Sequence, residues 1–400
     1  MASKIQHPAI FNLGFRAFFA GASIFSIISI ACWLLIYASL LNVLLPNDIL
    51  YITPDFRMIT PFGWHAHEMI FGYSSAVIAG FLLTAVPNWT GRPPLTGAPL
   101  IGLVLLWLAG RMGMIVNFGP QWVGPVIDSI FLIIFSVFIT REILAGKNTR
   151  NLKIAFILAL LVAANIGFHI SQLMDLIAFD RMTRLGLGII LLLIVIIGGR
   201  VTPAFTANWQ KKRGGPLPTP LNRFDKITMV VSAVSLVGWI VWPWAFPSGI
   251  LLILAGVLNV VRLLRWKFWA TFSEPLVTIL HVGYAWVAAA LCLAGAGIVQ
   301  PDVFPHVAAI HAIGTGAIGV MTIAIMTRAT LGHSGQALHA GPGTVLIYIL
   351  VNLAAIFRVG TPFLSPDIQV MFTAIAAVFW SSSFVIFCTI YGRYLWRAHA

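Results

Sequence analysis

The sequence predicts an all-α, polytopic integral membrane protein with about twelve transmembrane helices. Hydrophobic residues make up 60% of the chain and charged residues 9%, and the mean hydropathy is +0.96. Soluble proteins do not have this composition. A membrane-spanning helix needs about 20 apolar residues. Stretches of this kind are predicted at 16–45, 63–87, 97–117, 121–144, 150–175, 180–205, 224–246, 248–266, 272–299, 304–330, 342–362 and 366–395.

The basic residues predict that both termini are cytoplasmic. Short cytoplasmic loops of membrane proteins are enriched in lysine and arginine. With both termini inside, most basic side chains also lie inside, and the outer side holds only Arg57, Arg111, Arg181, Arg184 and Arg358. The net charge of +13 therefore indicates topology and contact with the lipid bilayer. Nucleic-acid binding is not indicated, because the basic residues are spread over many loops and form no single patch.

The whole chain, 1–400, is predicted to form one helical transmembrane domain. Its one obvious division is the basic loop 210–222, rich in glycine and proline, which is predicted to join two six-helix halves, 1–209 and 223–400, on the cytoplasmic side. No cleavable signal peptide is expected, because the first apolar stretch is too long. The three cysteines have no CxxC or CxxCH spacing, which argues against disulfides, thiolate zinc sites and covalently attached c-type haem.

The most informative motif is Trp64-His65-Ala66-His67-Glu68, at the start of the second apolar stretch. Residues i and i+2 of a helix point about 200° apart, so His65 and His67 face away from each other and could each hold a different metal centre. The alternative is a pair of buried imidazoles, each bonded to a backbone carbonyl or to water. Glu68 could support a histidine ligand or donate a proton, and its alternative role is a charge at a helix N-terminus.

Other histidines also fall within or at the ends of the apolar stretches. Because few acidic residues lie near them, metal ligation is favoured over a proton relay, and neutral imidazole suits haem iron and copper. Depth counting places His65, His67, His169, His306 and His311 in the outer half and His281 and His333 nearer the cytoplasm. Arg200 and Arg328, near predicted helix ends, could each hold a haem propionate or extend to the lipid headgroups.

Several blocks of the sequence resemble the NnrS family. They are WHAHEMIFGYSSAVIAGFLLTAVPNWTGRPPLTG (64–97), LWLAGR (106–111), GGRVTPAFT (198–206), LHVGYAW (280–286) and HAIGTGAIGVMTIAIMTRATLGHSG (311–335). The resemblance implies an inner-membrane protein that contains haem, of the b type, and copper, and that is linked to denitrification and to nitric oxide resistance. It also implies that His65, His67, His169, His281, His311 and His333 occupy histidine-bearing blocks, whereas His306 does not.

The resemblance therefore predicts a haem and copper protein of the bacterial inner membrane that acts on nitric oxide, as a reductase or a scavenger. Such an enzyme would need electrons from quinol or from a small redox protein. A second interpretation is a non-catalytic protein that binds nitric oxide or metal and protects or senses. The third and weakest is a transporter, for which twelve spans in two halves are ordinary architecture but so many histidines are not.

Overall fold

The computed structural model describes residues 7–40, 59–116, 119–172 and 176–397, and these residues are almost entirely helical. This confirms the predicted all-α class. The predicted residues 41–45, 117 and 173–175 of three spans, and Arg57, lie outside the described ranges. The twelve main helices are α1 Gly14–Leu40, α2 Pro61–Thr90, α3 Ala98–Gly113, α4 Val123–Ala145, α5 Thr149–Gln172, α6 Ala178–Lys211, α7 Arg223–Val241, α8 Phe246–Leu264, α9 Pro275–Val299, α10 His306–His333, α11 Pro342–Phe363 and α12 Pro366–Trp396.

Eleven of these helices are long and apolar enough to cross a membrane, counted over the described residues, and α3 is shorter. Each helix corresponds to one predicted stretch, and most ends differ from the prediction by only a few residues. The largest difference is at α6, which continues to Lys211. Arg200 is therefore an interior residue of α6 and does not lie at its end.

Within the described ranges, three helices contain a π-helical segment, in which the chain makes a wider turn. The segments are Glu68–Ser74 in α2, Ile194–Gly198 in α6 and Ala312–Gly319 in α10. In α2 the Ser74 hydroxyl donates to the carbonyl of Met69 at 2.7 Å, which satisfies a backbone acceptor within the wider turn. Such segments often occur at functional sites because they re-aim the side chains next to them.

The chain divides into two compact units. The first comprises the described parts of Met1–Gly186, Ala329–Gln336 and Phe384–Ala400, and the second comprises Leu187–Arg328 and Ala337–Ser383. In the first unit, α1 packs on the second half of α2, and α3 packs on α4. Trp107 of α3 lies in this core and donates its indole N–H to the carbonyl of Gly72 at 3.0 Å. This contact joins α3 to the π-helical segment of α2.

The second unit is built on the close pairing of α8 with α9. A Cβ atom added to Gly295 would lie 2.7 Å from a side-chain carbon of Ile253, so the small residue allows the two backbones to approach. Arg262 of α8 is fully buried and donates to Asp225 at 3.0 Å and to the Tyr284 hydroxyl at 2.7 Å. The predicted division of the chain into two six-helix halves at loop 210–222 stays a prediction, because the two compact units do not test it.

Candidate metal centre

His67 lies at the junction between the first α-helical turns of α2 and its π-helical segment. The helix begins at Pro61, and the Thr60 hydroxyl accepts the backbone N–H of Gly63 at 3.0 Å. The imidazole of His67 is fully buried, with a carboxylate on each side. Its Nδ1 is 2.8 Å from Glu68 Oε1, and its Nε2 is 3.1 Å from Asp128 Oδ2. Two carboxylates from different helices therefore contact one imidazole.

Asp128, in the second turn of α4, is the point at which four helices meet. Its Oδ2 lies 2.9 Å from Nε2 of His169 and accepts the side-chain amide of Asn165 at 2.9 Å, both from α5. The rings of His67 and His169 are 4.7 Å apart between centroids. Asp128 is 2% exposed and His169 is 9% exposed. The oxygen Oδ2 thus has two imidazole nitrogens and one amide within hydrogen-bond distance.

Arg111, near the end of α3, is paired with both carboxylates. Its Nη1 lies 2.6 Å from each carboxylate oxygen of Glu68, and its Nη2 donates to Oδ1 of Asp128. The guanidinium is buried and lies 5.7 Å from the ring centroid of Phe25. The sequence predicted only that Arg111 lies towards the outer side, which stays a prediction, and it gave no sign that the residue is buried within a helix and holds two carboxylates.

The charges of this cluster indicate a missing positive charge. Two carboxylates and one guanidinium leave a net charge of −1 when both imidazoles are neutral, and a buried uncompensated charge is costly. A neutral imidazole has only one N–H, so His67 cannot donate to Glu68 and Asp128 together. If Nδ1 donates to Glu68, the lone pair of Nε2 faces Asp128 Oδ2 and has the side-chain amide of Asn165 as a donor at 3.2 Å. The net charge of −1 remains, and a proton or a metal cation between Nε2 and Oδ2 would compensate it.

The residues fit a metal ion. One ligand atom each from His67, Asp128 and His169, the His-Asp-His group, lie within 4.8 Å of one another, and all three residues are buried. Two histidines and one carboxylate form a set that binds copper, zinc or non-haem iron, and three protein ligands leave coordination positions open. The contact of Glu68 with the other ring nitrogen of His67 is typical of the carboxylates that orient histidine ligands.

His169 also borders an apolar cavity of about 380 Å³ in the first unit. Its Nδ1 has no hydrogen-bond partner among the residues that the structure describes, whereas its Nε2 contacts Asp128. The described lining contains no lysine or arginine and is mainly isoleucine, valine, methionine and tryptophan. This lining therefore suits apolar molecules and supplies no basic partner for a haem propionate. The two arginines predicted to hold propionates, Arg200 and Arg328, belong to the second unit.

The structure does not bring the other predicted histidines to the His-Asp-His group. His65, on the opposite side of α2 from His67, stacks on Trp33 with 4.5 Å between centroids. His333 is exposed at the end of α10, with its ring 5.6 Å from that of Phe15. These positions agree with the expectation that His65 and His67 serve different surroundings. They leave the predicted ligand roles of His65 and His333 as predictions.

Three further predicted residues lie in the second unit. His281 is 2% exposed, and its Nε2 is 2.8 Å from the Thr206 hydroxyl. That hydroxyl also contacts the carbonyl of Thr202 at 2.9 Å, and His281 Nδ1 is buried without a partner in the described chain. His311 Nδ1 is 2.9 Å from the carbonyl of Val307. The guanidinium of Arg328 lies 4.0 Å from the ring centroid of Phe205.

Sequence reasoning missed Asp128, Arg111 and Asn165 as members of the site. The expectation that membrane histidines have almost no acidic partners is wrong for His67 and His169, because Asp128 reaches both from α4. A signal was present, since a lone aspartate within an apolar stretch is costly and calls for a functional explanation. Its partners could not be read from the sequence, because they come from three other helices.

The fold and this site define a class: an all-helical protein of membrane-spanning composition with a buried group of two histidines and one carboxylate suited to a metal ion. The chain belongs to the NnrS family, since the family model described as NnrS protein matches residues 9–399. A search among curated proteins gave no match. Membership implies a membrane protein that is associated with nitric oxide, in a family associated with metal and haem binding.

Proposed function

We propose that this protein binds a transition metal at the His-Asp-His group and acts on nitric oxide there, reducing or scavenging it. The observation that carries the proposal is the convergence of His67, Asp128 and His169 from three helices in a chain whose family is associated with nitric oxide. The buried net charge of −1 favours a bound cation. The donor set suits copper, the metal predicted from the sequence, and equally non-haem iron.

The residues around the metal have separate tasks in this proposal. His67 Nε2, His169 Nε2 and Asp128 would hold the metal, and the metal, when bound, would supply redox chemistry for nitric oxide. Glu68 accepts a hydrogen bond from the Nδ1–H of His67, which leaves Nε2 free of a proton and able to bind the metal. Because Arg111 also donates to Glu68, this carboxylate is better suited to orient His67 than to donate a proton. Arg111 offsets one of the two negative charges of the carboxylates.

The predicted haem would use histidines outside this group. His281 offers a buried Nδ1 without a partner among the described residues, which is one reason to keep it as a candidate ligand, together with His65, His311 and His333. The proposal of a b-type haem at one of these histidines rests on the family resemblance, as does the proposal that Arg200 or Arg328 holds a haem propionate. No step of the proposed function passes through it.

A reductase would convert two nitric oxide molecules, two protons and two electrons into nitrous oxide and water. We propose that the electrons come from quinol or a small redox protein and that the location is the inner membrane of a bacterium, as the resemblance implies. A scavenger would bind nitric oxide without turnover. A transporter would need no metal at the His-Asp-His group, so a transition metal in a simple ratio to protein argues against it.

The first test is metal analysis of the detergent-purified protein, followed by addition of nitric oxide to the reduced form. We expect a transition metal in a simple ratio to protein and consumption of nitric oxide. His67→Ala and His169→Ala should each lose that metal, because each removes one of three protein ligands. His306→Ala is the matched control, since His306 is exposed and contacts Trp244 at 5.8 Å between centroids.

Each outcome of this test has a consequence. Metal that is lost from both site variants and kept by His306→Ala supports the assignment of the site. Metal with nitric oxide bound but not consumed overturns the reductase and leaves the scavenging part of the proposal. Wild-type protein without metal, or site variants that keep all of it, overturns the proposed function.

A further inference from the structure

We infer that the apolar cavity beside His169 is a binding chamber for nitric oxide, which collects the gas from the lipid phase and delivers it to the His-Asp-His group. The inference rests on the proposed function, because it specifies how the substrate of that site reaches it. It goes beyond the proposed function by assigning a second, non-metal binding site for a small apolar molecule.

The cavity has a polarity gradient from rim to inner end. At the rim, Val126 of α4 is 47% exposed and Ile170 of α5 is 51% exposed. Both residues belong to helices long and apolar enough to span a membrane, so the rim opens on a surface suited to lipid. At the inner end lie Ser129 and His169, each 9% exposed. Gln121, which precedes α4, is an exposed polar residue of the same lining. A molecule that enters from the side of Val126 and Ile170 passes apolar side chains and meets buried polar groups at the candidate metal ligand.

The size and lining of the cavity match an apolar gas. An apolar protein cavity of about 150 Å³ is known to stay dry and to bind xenon or benzene, and this cavity measures about 380 Å³. The polar side chains of the lining are Gln121, Ser129, His169 and Gln172. Of these, Ser129 is occupied, since its hydroxyl is 2.8 Å from the carbonyl of Pro125 and 3.0 Å from Oδ1 of Asn165. Water would find few partners there, whereas nitric oxide, which is small and nearly apolar, loses little on leaving lipid.

The geometry at the inner end links the chamber to the metal ligands. His169 contacts Asp128 through Nε2 and is also a lining residue of the cavity. The chamber and the His-Asp-His group therefore share this residue. No charged side chain occurs in the described lining, so a neutral diatomic molecule passes no charge before it reaches His169, while hydrated ions are disfavoured.

The chamber is tested first with xenon, an apolar gas that needs no metal. In crystals of the protein held under xenon pressure, we expect a xenon site against Ile130 and His169. Ile130→Trp should abolish that site, because the larger ring fills the cavity from α4. Ile134→Trp is the matched control: Ile134 lies one turn further along α4, is 45% exposed and is not part of the lining. Absence of xenon from the wild-type cavity overturns the inference.

The second readout is the rate of nitric oxide binding to the metal-loaded, reduced protein. Ile130→Trp should lower the association rate constant by about tenfold, which needs only a modest added barrier, with the metal content unchanged. Ile134→Trp should leave the rate unchanged. An unchanged rate in Ile130→Trp overturns the chamber while the metal site stands. Protein that holds xenon in the cavity but no metal overturns the proposed function and leaves the chamber as a gas-binding site, so the two failures are distinguishable.

Discussion

Arg111 carries most of the charge compensation within the candidate metal centre. It is the one guanidinium in contact with Glu68 and Asp128 among the described residues, and both carboxylates are at most 2% exposed. Breaking a buried ion pair by removing one partner is strongly destabilising, because the other charge is left uncompensated. The stability of the first unit should therefore depend on Arg111 more than on any ion pair that is exposed to solvent.

We predict that Arg111→Met lowers the free energy of unfolding by about 3–5 kcal/mol, the cost typical of a broken buried pair. The second substitution Glu68→Gln should recover part of this loss, since it removes one of the two unpaired carboxylates. Thermal unfolding in detergent, without added metal, measures both variants. Arg92→Met is the control: Arg92 is 39% exposed where it contacts Glu142, and Glu142 keeps Arg141 as a partner at 2.7 Å, so the loss should be small. Equal losses in Arg111→Met and Arg92→Met would contradict the prediction.

For single residues, the sequence predicted which way a side chain points better than which residues it contacts. The spacing of His65 and His67 predicted that they face different surroundings, and the structure places one against Trp33 and the other against Asp128. That result follows from helix geometry alone. The convergence of Asp128, Arg111 and His169 depends on the packing of α3, α4 and α5 against α2, which no local pattern encodes. An aspartate within an apolar stretch, as at position 128, is unusual by hydropathy, but that pattern gives no indication of its partners.

At the scale of elements, the π-helical segment of α2 brings Gly72 against Arg111. A Cβ atom at Gly72 would lie 2.6 Å from Nη1 of Arg111 and 2.9 Å from a ring carbon of Phe25. Hydropathy predicted α2 within a few residues, but the π-helical turn could not be predicted, because hydropathy indicates where a chain is buried and not how wide its helical turns are.

We predict that Gly72→Ala displaces Arg111, lowers the free energy of unfolding by about 1–3 kcal/mol, as overpacking does, and weakens metal binding. Gly314→Ala is the matched control, because Gly314 also lies in a π-helical segment but an added Cβ would meet nothing within 4 Å. It should be neutral or slightly stabilising, since alanine restricts the unfolded chain. Thermal unfolding and metal content measure both variants, and similar behaviour of the two would show that Gly72 has no special packing role.

At the scale of the whole molecule, the predicted histidines are divided between the two units. The first unit contains His65, His67, His169 and His333, and the second contains His281, His306 and His311. This division is compatible with the proposal that copper or iron and haem occupy separate places, because each unit contains at least one buried histidine. The sequence alone gave only depths along the membrane normal, which could not assign histidines to units.

Whether the two termini lie on the same side of the membrane depends on whether α3 crosses it. Its 16 residues, at about 1.5 Å each, cover about 24 Å, less than the hydrocarbon thickness of about 30 Å. If α3 crosses, there are twelve spans and both termini lie on one side; if it does not, there are eleven and the termini lie on opposite sides. The ion pair between Arg111 and Glu68 favours an α3 that crosses the membrane. Arg111 near the end of α3 meets Glu68 near the start of α2, so α3 runs back along α2 to the level where α2 begins.

We therefore predict that Thr96 and Gln121, which precede and follow α3, lie on opposite sides of the membrane. Each is exposed and can be changed to cysteine in a variant that has Cys32, Cys292 and Cys388 replaced by alanine. In intact cells a membrane-impermeant maleimide should label Gln121→Cys directly and Thr96→Cys only after permeabilisation, because the basic residues place the loop before α3 inside. Direct labelling of both would mean that α3 does not cross and that the termini lie on opposite sides. Labelling of Thr96→Cys alone would mean that α3 crosses in the reverse orientation, with both termini outside.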